Sequence, residues 1–431
     1  MSASLPVGLA HPEQSRGVVT GFGPASPYNE PARSGEGCLR TQAHMLDVAV
    51  IGGGPGGLHT AFLLARAGFG VTLFEEHHEV GRPVHCTGVL ADDAFGEFEL
   101  TRASVLNTLS TAKFFSPSGF EISYTTPGIE AHVVDRRMLD QTIAQRALLA
   151  GVEMRPGRRV RSLELLPGGM RLDVEGEESA YARAVVLACG ASYGLQRRFG
   201  LGMPLVSLNS AQLELPASRS GDVEVYFGGD VAPGGFAWTV PVVRAGAPFV
   251  RVGLMCEGDA SMFFHQFVTR VGPSWGIAPE SISEPRRRFL PLSTLPRTFA
   301  SRLLVVGDAA GLVKPTTGGG IYYSLVSAAL AAETLIPALR RNQLDAETLS
   351  GYQRRWRERL GPEFQAQLAL RMLAQRLTDP EIDSLFDLAR TNGVMPLVRR
   401  TAKFNQHRHL IAELFRHAPA RRLLFRRLVT V

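Results

Sequence analysis

Apolar positions along the chain change period several times, and each change predicts a different element. The stretch "LDVAVIGGGPGGLHTAFLLARAGFGVTLFEE", residues 46 to 76, begins with an apolar strand, Leu46 to Ile51. It continues through glycines into a helix of small and apolar residues, and ends in a second strand, Val71 to Phe74, closed by Glu75. Between residues 205 and 300 the pattern shortens to alternation, as in "DVEVYF" and "PFVRVGL", which predicts strands of a sheet with one covered face. After Ile321 the run "YYSLVSAALAAETLIPALRR" predicts a helix. Helical spacing then continues to the end of the chain, with breaks near Pro380 and Pro396. The first 44 residues are rich in Gly, Pro, Ser and Ala without a period and read as a disordered extension. Met45 directly precedes the first strand, so translation starting there is an equal alternative to a genuine tail.

The clearest motif is the strand, glycine turn, helix and strand of residues 46 to 76, a βαβ dinucleotide-binding unit. In Gly52-Gly53-Gly54-Pro55-Gly56-Gly57, Gly52 permits the tight turn and Gly54 lets a pyrophosphate approach the backbone. Gly57 lets the helix pack closely on the strand, which places the phosphate at the helix N-terminus. Glu75, at the end of the second strand, is the acceptor expected for the adenosine ribose hydroxyls, and its neighbour Glu76 reads as a surface acid. A second glycine-and-acid pattern lies far downstream. "LLVVGDAAG", residues 303 to 311, is a strand delivering Gly307 and Asp308 at its end, and "TTGGGI" follows with Gly318, Gly319, Gly320 and Ile321 at a helix start.

Composition sets limits. With 431 residues, 45% hydrophobic and 20% charged, the chain has the profile of a globular protein of two or three domains. The four cysteines, Cys38, Cys86, Cys189 and Cys256, are dispersed without a C-x-x-C pair. That argues against a disulfide framework, a metal site or an iron–sulfur cluster, and fits a reducing cytoplasm. No apolar run approaches the roughly 18 to 20 residues that cross a bilayer, and no export signal precedes the first strand, so a cytoplasmic protein is expected. The net charge of +6 is a C-terminal feature: residues 391 to 431 hold nine Arg or Lys against one acid, Glu413. "AELFRHAPARRLLFRRLV" mixes Leu and Phe with Arg at helical spacing. It suits either an amphipathic element on an anionic membrane surface or a solvated helix packed on the protein through its Leu face. Nucleic acid is not expected, because no recognition motif accompanies the charge.

Several of these segments together resemble one family. "LLVVGDAAG" resembles the second flavin motif of the flavoproteins related to p-hydroxybenzoate hydroxylase. "HVVDRRMLDQTIAQRALLAGVEM", residues 132 to 154, resembles the segment in which an arginine, here Arg136, precedes a helix and contacts the cofactor. "AVVLACGAS", residues 184 to 192, resembles a strand-end motif of the same group, with Cys189 at its variable place. Within that superfamily "GRPVHCTGVL", residues 81 to 90, and "GGFAWTVP", residues 234 to 241, look like the Pro-Val-x-Cys and aromatic-x-Trp-x-Phe-Pro motifs of the geranylgeranyl reductase family. The resemblance runs from about residue 46 to 340. Phe236 stands where that family often has Tyr, Val240 where it often has Phe, and "GLM", Gly253 to Met255, where a Gly-x-Gly is usual.

The resemblance implies a fold and a chemistry. The fold class is α/β, α+β overall. A Rossmann-like FAD-binding domain of glutathione-reductase type is expected over residues 45–200 and 300–345, with 90–130 partly substrate-facing. An antiparallel-sheet substrate domain is expected over 201–299 and a helical basic region over 346–431. FAD would be held by Gly52, Gly54, Pro55, Gly56, Gly57, Glu75, Arg82, Arg136, Gly307, Gly318, Gly319, Gly320 and Ile321, with Asp308 on a ribityl hydroxyl. The activity implied is hydride transfer from flavin N5 to an isolated C=C bond of a prenyl or geranylgeranyl chain in a lipid or isoprenoid, which requires an apolar, water-excluding tunnel. Trp238 would line that tunnel, or else be a core tryptophan. Cys86 would lie near the isoalloxazine as a proton donor or redox influence, or else be inertly buried. Its neighbour His85 points the other way if the segment is extended. One complete nucleotide unit, taken by FAD, leaves the electron donor as either transient NAD(P)H or a reduced carrier such as ferredoxin. The alternatives are a flavin-dependent monooxygenase or halogenase of the same superfamily, a non-catalytic flavin-bound membrane or partner-binding protein, and an electron-transfer flavoprotein dehydrogenase relative.

Overall fold

The computed structural model describes residues 45–391 and 393–425; the expected N-terminal extension and the last two arginines, Arg426 and Arg427, lie outside the described residues. Strand β1 (Leu46–Ile51), helix α1 (Pro55–Arg66) and strand β2 (Val71–Glu75) form the βαβ unit that the spacing predicts. β1 is the centre of a parallel array. It pairs with β2 on one side and with Ala180–Leu187 on the other, and Ala180–Leu187 pairs in turn with Leu303–Val305. Val48, Leu73, Val185, Val186, Leu304 and Val305 are fully buried. Strands covered on both faces read as apolar runs rather than alternations, which is why this layer was visible in the sequence.

Because these strands are parallel, their carboxyl ends emerge on one side, where open α/β sheets bind ligands. That side receives Gly52 after β1, Glu75 at the end of β2, Cys189 after Ala180–Leu187, and Gly307 with Asp308 after Leu303–Val305. Residues separated by more than 250 positions are thus brought to one edge by topology alone.

The second sheet has seven strands, in the order Arg286–Pro291, Ser207–Pro216, Ala247–Cys256, Phe236–Arg244, Val223–Tyr226, Thr111–Phe115 and Glu121–Thr125. All its pairs are antiparallel except Val223–Tyr226 with Thr111–Phe115. Helix Ala260–Trp275 covers one face, burying Ala237, Val250, Val252 and Leu254 against Phe264, Phe267 and Val268. By the two-residue period, Phe236, Trp238 and Val240 face the opposite way.

Helix Ile321–Arg341 corrects one expectation. It is 21 residues long and apolar enough to cross a membrane by length and composition, although most of it is buried inside the protein. It packs on α1 and on the following helix, Ala346–Ala374, so its apolar character is that of a core helix. Beyond Ala346–Ala374 the described residues form four shorter helices, Asp379–Thr391, Val394–Thr401, Arg408–Arg416 and Ala418–Phe425.

One histidine in this core makes stability depend on pH. His59 on α1 is 6% exposed, lies 5.6 Å from the Phe98 ring, and has no hydrogen-bond partner at Nδ1 among the described residues. Burial, helped by Arg146, pushes its pKa down to about 4. Between an unfolded value of about 6.5 and a folded value of about 4 the unfolded chain binds a proton that the folded one refuses, so stability falls as pH drops through that window. The expected contribution between pH 7 and pH 5 is on the order of 2 kcal/mol. Denaturant unfolding at the two pH values should show that much less pH dependence in His59→Leu than in the wild type.

Candidate functional site

A cavity of about 1670 Å³ runs from the carboxyl ends of the parallel strands to the uncovered face of the second sheet. It exceeds the roughly 300 to 1000 Å³ of an ordinary small-molecule site. Its walls change character along its length. Glycines, acids and arginines line the part under the Rossmann-like sheet, whereas Val225, Phe227, Phe236, Trp238, Phe386 and Val398 line the part under the second sheet and the C-terminal helices.

Of the residues singled out in the sequence, Gly52, Gly54, Pro55, Gly56, Glu75, Arg82, Cys86, Arg136, Trp238, Gly307, Asp308, Gly318, Gly319, Gly320 and Ile321 all line this one cavity. Gly57 does not. A Cβ there would lie 2.0 Å from the Gly52 carbonyl oxygen and 3.0 Å from Ala188 Cβ, so this glycine acts below the surface of the site by letting α1 seat on the turn. Pro55 occupies the first turn of α1, where the missing N–H costs nothing.

Glu75 is nearly buried, and one oxygen accepts from the Gly53 N–H at 2.6 Å. The other accepts from the His77 N–H at 2.9 Å and lies 2.5 Å from His77 Nδ1. The acid therefore also fixes the glycine turn, a task its spacing did not reveal. Glu76 faces Arg159 at the surface. Arg82 is 58% exposed at its side chain and pairs with Glu79 at the rim.

Arg136 is held from one side by Asp140, to which its Nε and Nη2 donate, and meets the Cys86 thiol on another. Asp135 caps this helix by accepting from the Met138 N–H at 3.0 Å. It also pairs with Arg244 at 2.6 Å, and Arg244 and Arg251 share Glu214. Arg251, 3% exposed, donates onward to the carbonyls of Thr87 and Val134. Through this chain the second sheet sets the position of the Cys86 loop and of Arg136. The Gly88 N–H points at Cys86 Sγ, 3.3 Å away.

Asp308 lies at the cavity wall. Burial pushes its carboxyl above the usual range, against the opposing pull of Arg136 and Arg288. A polyol hydroxyl donating to it would favour the ionised form. The adjoining backbone is braced: Tyr193 donates to the Asp308 carbonyl at 2.7 Å, and Ser327 accepts from the Gly307 N–H at 3.0 Å. Such a wall suits a dinucleotide cofactor: a glycine turn at a helix N-terminus, an acid at the next strand end, and a second, buried carboxyl farther along.

At the apolar end Trp238 pairs in register with Gly253 across the sheet. A Cβ on Gly253 would come within 2.6 Å of the indole, so the glycine gives the ring its place. Phe236 lies 5.6 Å away, ring to ring, and the indole Nε1 is buried without a hydrogen-bond partner among the described residues.

Three lining residues escaped sequence reasoning. His85, read as pointing away, lines the cavity, and burial together with Arg288 and Arg286 lowers its pKa to about 4. Arg371, 6% exposed, donates to the carbonyls of Pro315 and Gly234. Lys314, 3% exposed, sits inside the motif "GDAAGLVKPTTGGGI" itself. A lysine in an otherwise apolar and small-residue loop was the available signal.

Comparison with known proteins agrees with this geometry. A family model for an NAD(P)-binding Rossmann-like domain matches residues 50–94, and one described as lycopene cyclase protein matches residues 262–388. A digeranylgeranylglycerophospholipid reductase of Methanocaldococcus jannaschii is 30% identical over 367 residues, covering 80% of this chain and 91% of that protein. The chain belongs to the geranylgeranyl reductase family. A second family member, digeranylgeranylglycerophospholipid reductase 2 of Methanothermobacter thermautotrophicus, is 30% identical over 79% of this chain and 90% of its own length. Among solved structures, a geranylgeranyl bacteriochlorophyll reductase-like protein of Thermoplasma acidophilum superposes with a TM-score of 0.75 at 20% identity, covering 90% of this chain and 99% of that one. The halogenase PltM, solved with phloroglucinol and FAD, shares the fold with a TM-score of 0.61 at 15% identity, over 88% of this chain and 85% of its own. The family resemblance carried by "RPVHC", "GFAWTVP" and "GDAAG" is thus upheld over most of the chain.

Proposed function

We propose that the protein is an FAD-dependent reductase of C=C double bonds in the prenyl or geranylgeranyl chains of a lipid. The observation that carries this reading is the single cavity that joins a dinucleotide cradle to an aromatic-lined apolar end. The names of the family members point to the same substrate class.

Bound FAD supplies the hydride. Gly52, Gly54 and Gly56, at the start of α1, receive the pyrophosphate, with Pro55 at the first turn. Glu75 accepts from the adenosine ribose, Asp308 from the ribityl chain, and Arg82 closes the rim. Gly319, Gly320 and Ile321 would offer backbone N–H groups to the flavin ring, while Gly307 and Gly318, whose N–H groups go to Ser327 Oγ and the Lys314 carbonyl, would shape the wall beside it. Trp238 and Phe236 hold the prenyl chain and exclude water from the reacting bond. Cys86 holds the proton for the second carbon at Sγ, and the adjacent Arg136 offsets the negative charge left behind. Electrons reach the cofactor from NAD(P)H or from a reduced carrier such as ferredoxin. The test is an anaerobic titration of the FAD-loaded protein with a geranylgeranyl lipid. A saturable change in the flavin spectrum that disappears with a saturated straight-chain lipid supports the reading, and identical responses to both oppose it.

The substrate also gives the C-terminal helices a task. Val394, Val398, Leu410 and Ile411 line the cavity, while Arg399, Arg400, Lys403, Arg408, Arg416, Arg421 and Arg422 are exposed. Helices with one face on a lipid tunnel and basic residues outside suit peripheral contact with an anionic bilayer from the cytoplasm. At about 1 kcal/mol per basic residue near such a surface, reversing Arg399 and Arg400 to glutamate should weaken partition onto anionic vesicles by about tenfold or more. Vesicle sedimentation at low and high salt checks this.

A further inference from the structure

Among the described residues, Lys314 is a buried cation without a partner of opposite charge at bonding distance. Its Nζ donates to the Phe404 carbonyl at 2.6 Å and lies 4.1 Å from the centroid of the Phe404 ring. Asp93, Glu363 and Glu130 act on it from farther away, and burial outweighs them, lowering its pKa to about 7. Each of those acids is already engaged. Asp93 accepts from Asn405 Nδ2 at 2.8 Å, Glu130 from the Phe404 N–H at 2.7 Å, and Glu363 from the N–H groups of His407 and Arg408. His407, held at Thr316 Oγ1 and pushed down to about 4 by burial and by Lys314, is neutral and supplies no counter-charge. Burying an ammonium in this way is costly, and the Phe404 carbonyl and ring offset only part of that cost, since neither carries a full counter-charge.

A clamping role does not explain the charge. The segment around Phe404 is tied down without Lys314 by Glu130, by Asn405 to Asp93, by Tyr323 Oη to the Asn405 carbonyl at 3.0 Å, and by Thr316 to His407. A neutral donor would serve as well for the bond to Phe404.

The lysine stem instead runs along the glycine turn of the site. Lys314 N–H donates to the Gly319 carbonyl at 3.1 Å, and Gly318 N–H donates back to the Lys314 carbonyl at 2.9 Å. Lys314 Cδ and Cε lie 3.6 and 3.7 Å from the position a Cβ would take on Gly319. If the FAD reading above holds, this turn faces the pyrimidine half of the flavin. Two electrons from the donor and one proton, accepted at N5, leave that half of the ring with a net negative charge.

We propose that Lys314 is a positioning residue for charge, whose ammonium offsets the negative charge of the reduced flavin and so makes the bound cofactor easier to reduce. The missing counter-charge in the oxidised protein is then supplied by the reaction itself.

The test is the two-electron midpoint potential of the bound FAD, measured by anaerobic dithionite titration against a reference dye. It would be run on the FAD-loaded wild type, Lys314→Met, Lys314→Gln, Lys314→Arg and Tyr323→Phe. Both neutral variants should shift the reduction equilibrium by tenfold or more toward the oxidised form, a potential about 30 mV lower. Lys314→Arg should stay within about threefold of the wild type. Tyr323→Phe, which removes a tie of the Phe404 segment but no charge, should leave the potential unchanged. Lys314→Gln retains a donor toward Phe404, so it keeps the comparison valid if the methionine variant folds poorly. A wild-type potential in either FAD-loaded neutral variant, or an equal shift in Tyr323→Phe, would overturn the inference while leaving the FAD reading intact. A wild-type protein that bound no FAD would overturn both.

Discussion

Asp308→Ala is expected to bind FAD about 10- to 100-fold more weakly than the wild type, the range set by losing a hydrogen bond to a charged acceptor. The carboxyl stands at the end of a buried strand, its backbone braced by Tyr193 and Ser327, so the fold should survive its removal. Burial already strains the charge on Asp308, and hydroxyl donors from a ribityl chain are what would relieve it. Asp308→Asn, which keeps an acceptor but no charge, should fall between the two. Fluorescence titration of the apo proteins with FAD measures all three. Equal affinity in the alanine variant would remove Asp308 from the cofactor site.

Trp238→Ala is expected to retain FAD and to lower kcat/KM for the lipid by about a hundredfold, the scale on which an ångström of misplacement acts. The indole is seated by Gly253 across the strand pair and by Phe236 beside it. Without it the apolar wall opens and the chain is no longer held against the reacting edge. Trp238→Phe should recover part of the loss, since much of the contribution is apolar contact area. Steady-state kinetics with a matched FAD-occupancy assay separates this outcome from a cofactor defect. Normal kinetics in the alanine variant would make Trp238 an ordinary wall residue.

Local chemistry and topology account for what could be read from the chain. Gly52 to Gly57 and Glu75 are close in sequence because one βαβ unit carries them, so their spacing marked them as cofactor candidates, though not the bond by which Glu75 holds Gly53. Asp308 was legible for a different reason: a strand end with a glycine and an acid repeats the logic of the first motif. The place of Trp238 was implied by the family resemblance, and the two-residue period of its strand is what turns it to the cavity. His85, Arg371 and Lys314 were not legible as lining residues, because their positions depend on contacts between distant elements. Arg371 reaches Pro315 and Gly234 from the helix Ala346–Ala374, and Phe404 comes to Lys314 from 90 residues away. The run Ile321–Arg341 was legible as a helix, but its apolar length was underestimated, and composition alone does not distinguish such a core helix from one that meets lipid.

The central claim is that reducing equivalents pass from flavin to a prenyl double bond. The most direct measurement is to reduce the FAD-loaded protein with dithionite in the absence of oxygen, add geranylgeranyl lipid, and follow flavin reoxidation together with product mass. The account predicts lipid-dependent reoxidation and a gain of about 2 Da for each double bond reduced. No reoxidation by lipid, with fast reoxidation once oxygen is admitted and an oxygenated or halogenated product, would contradict it.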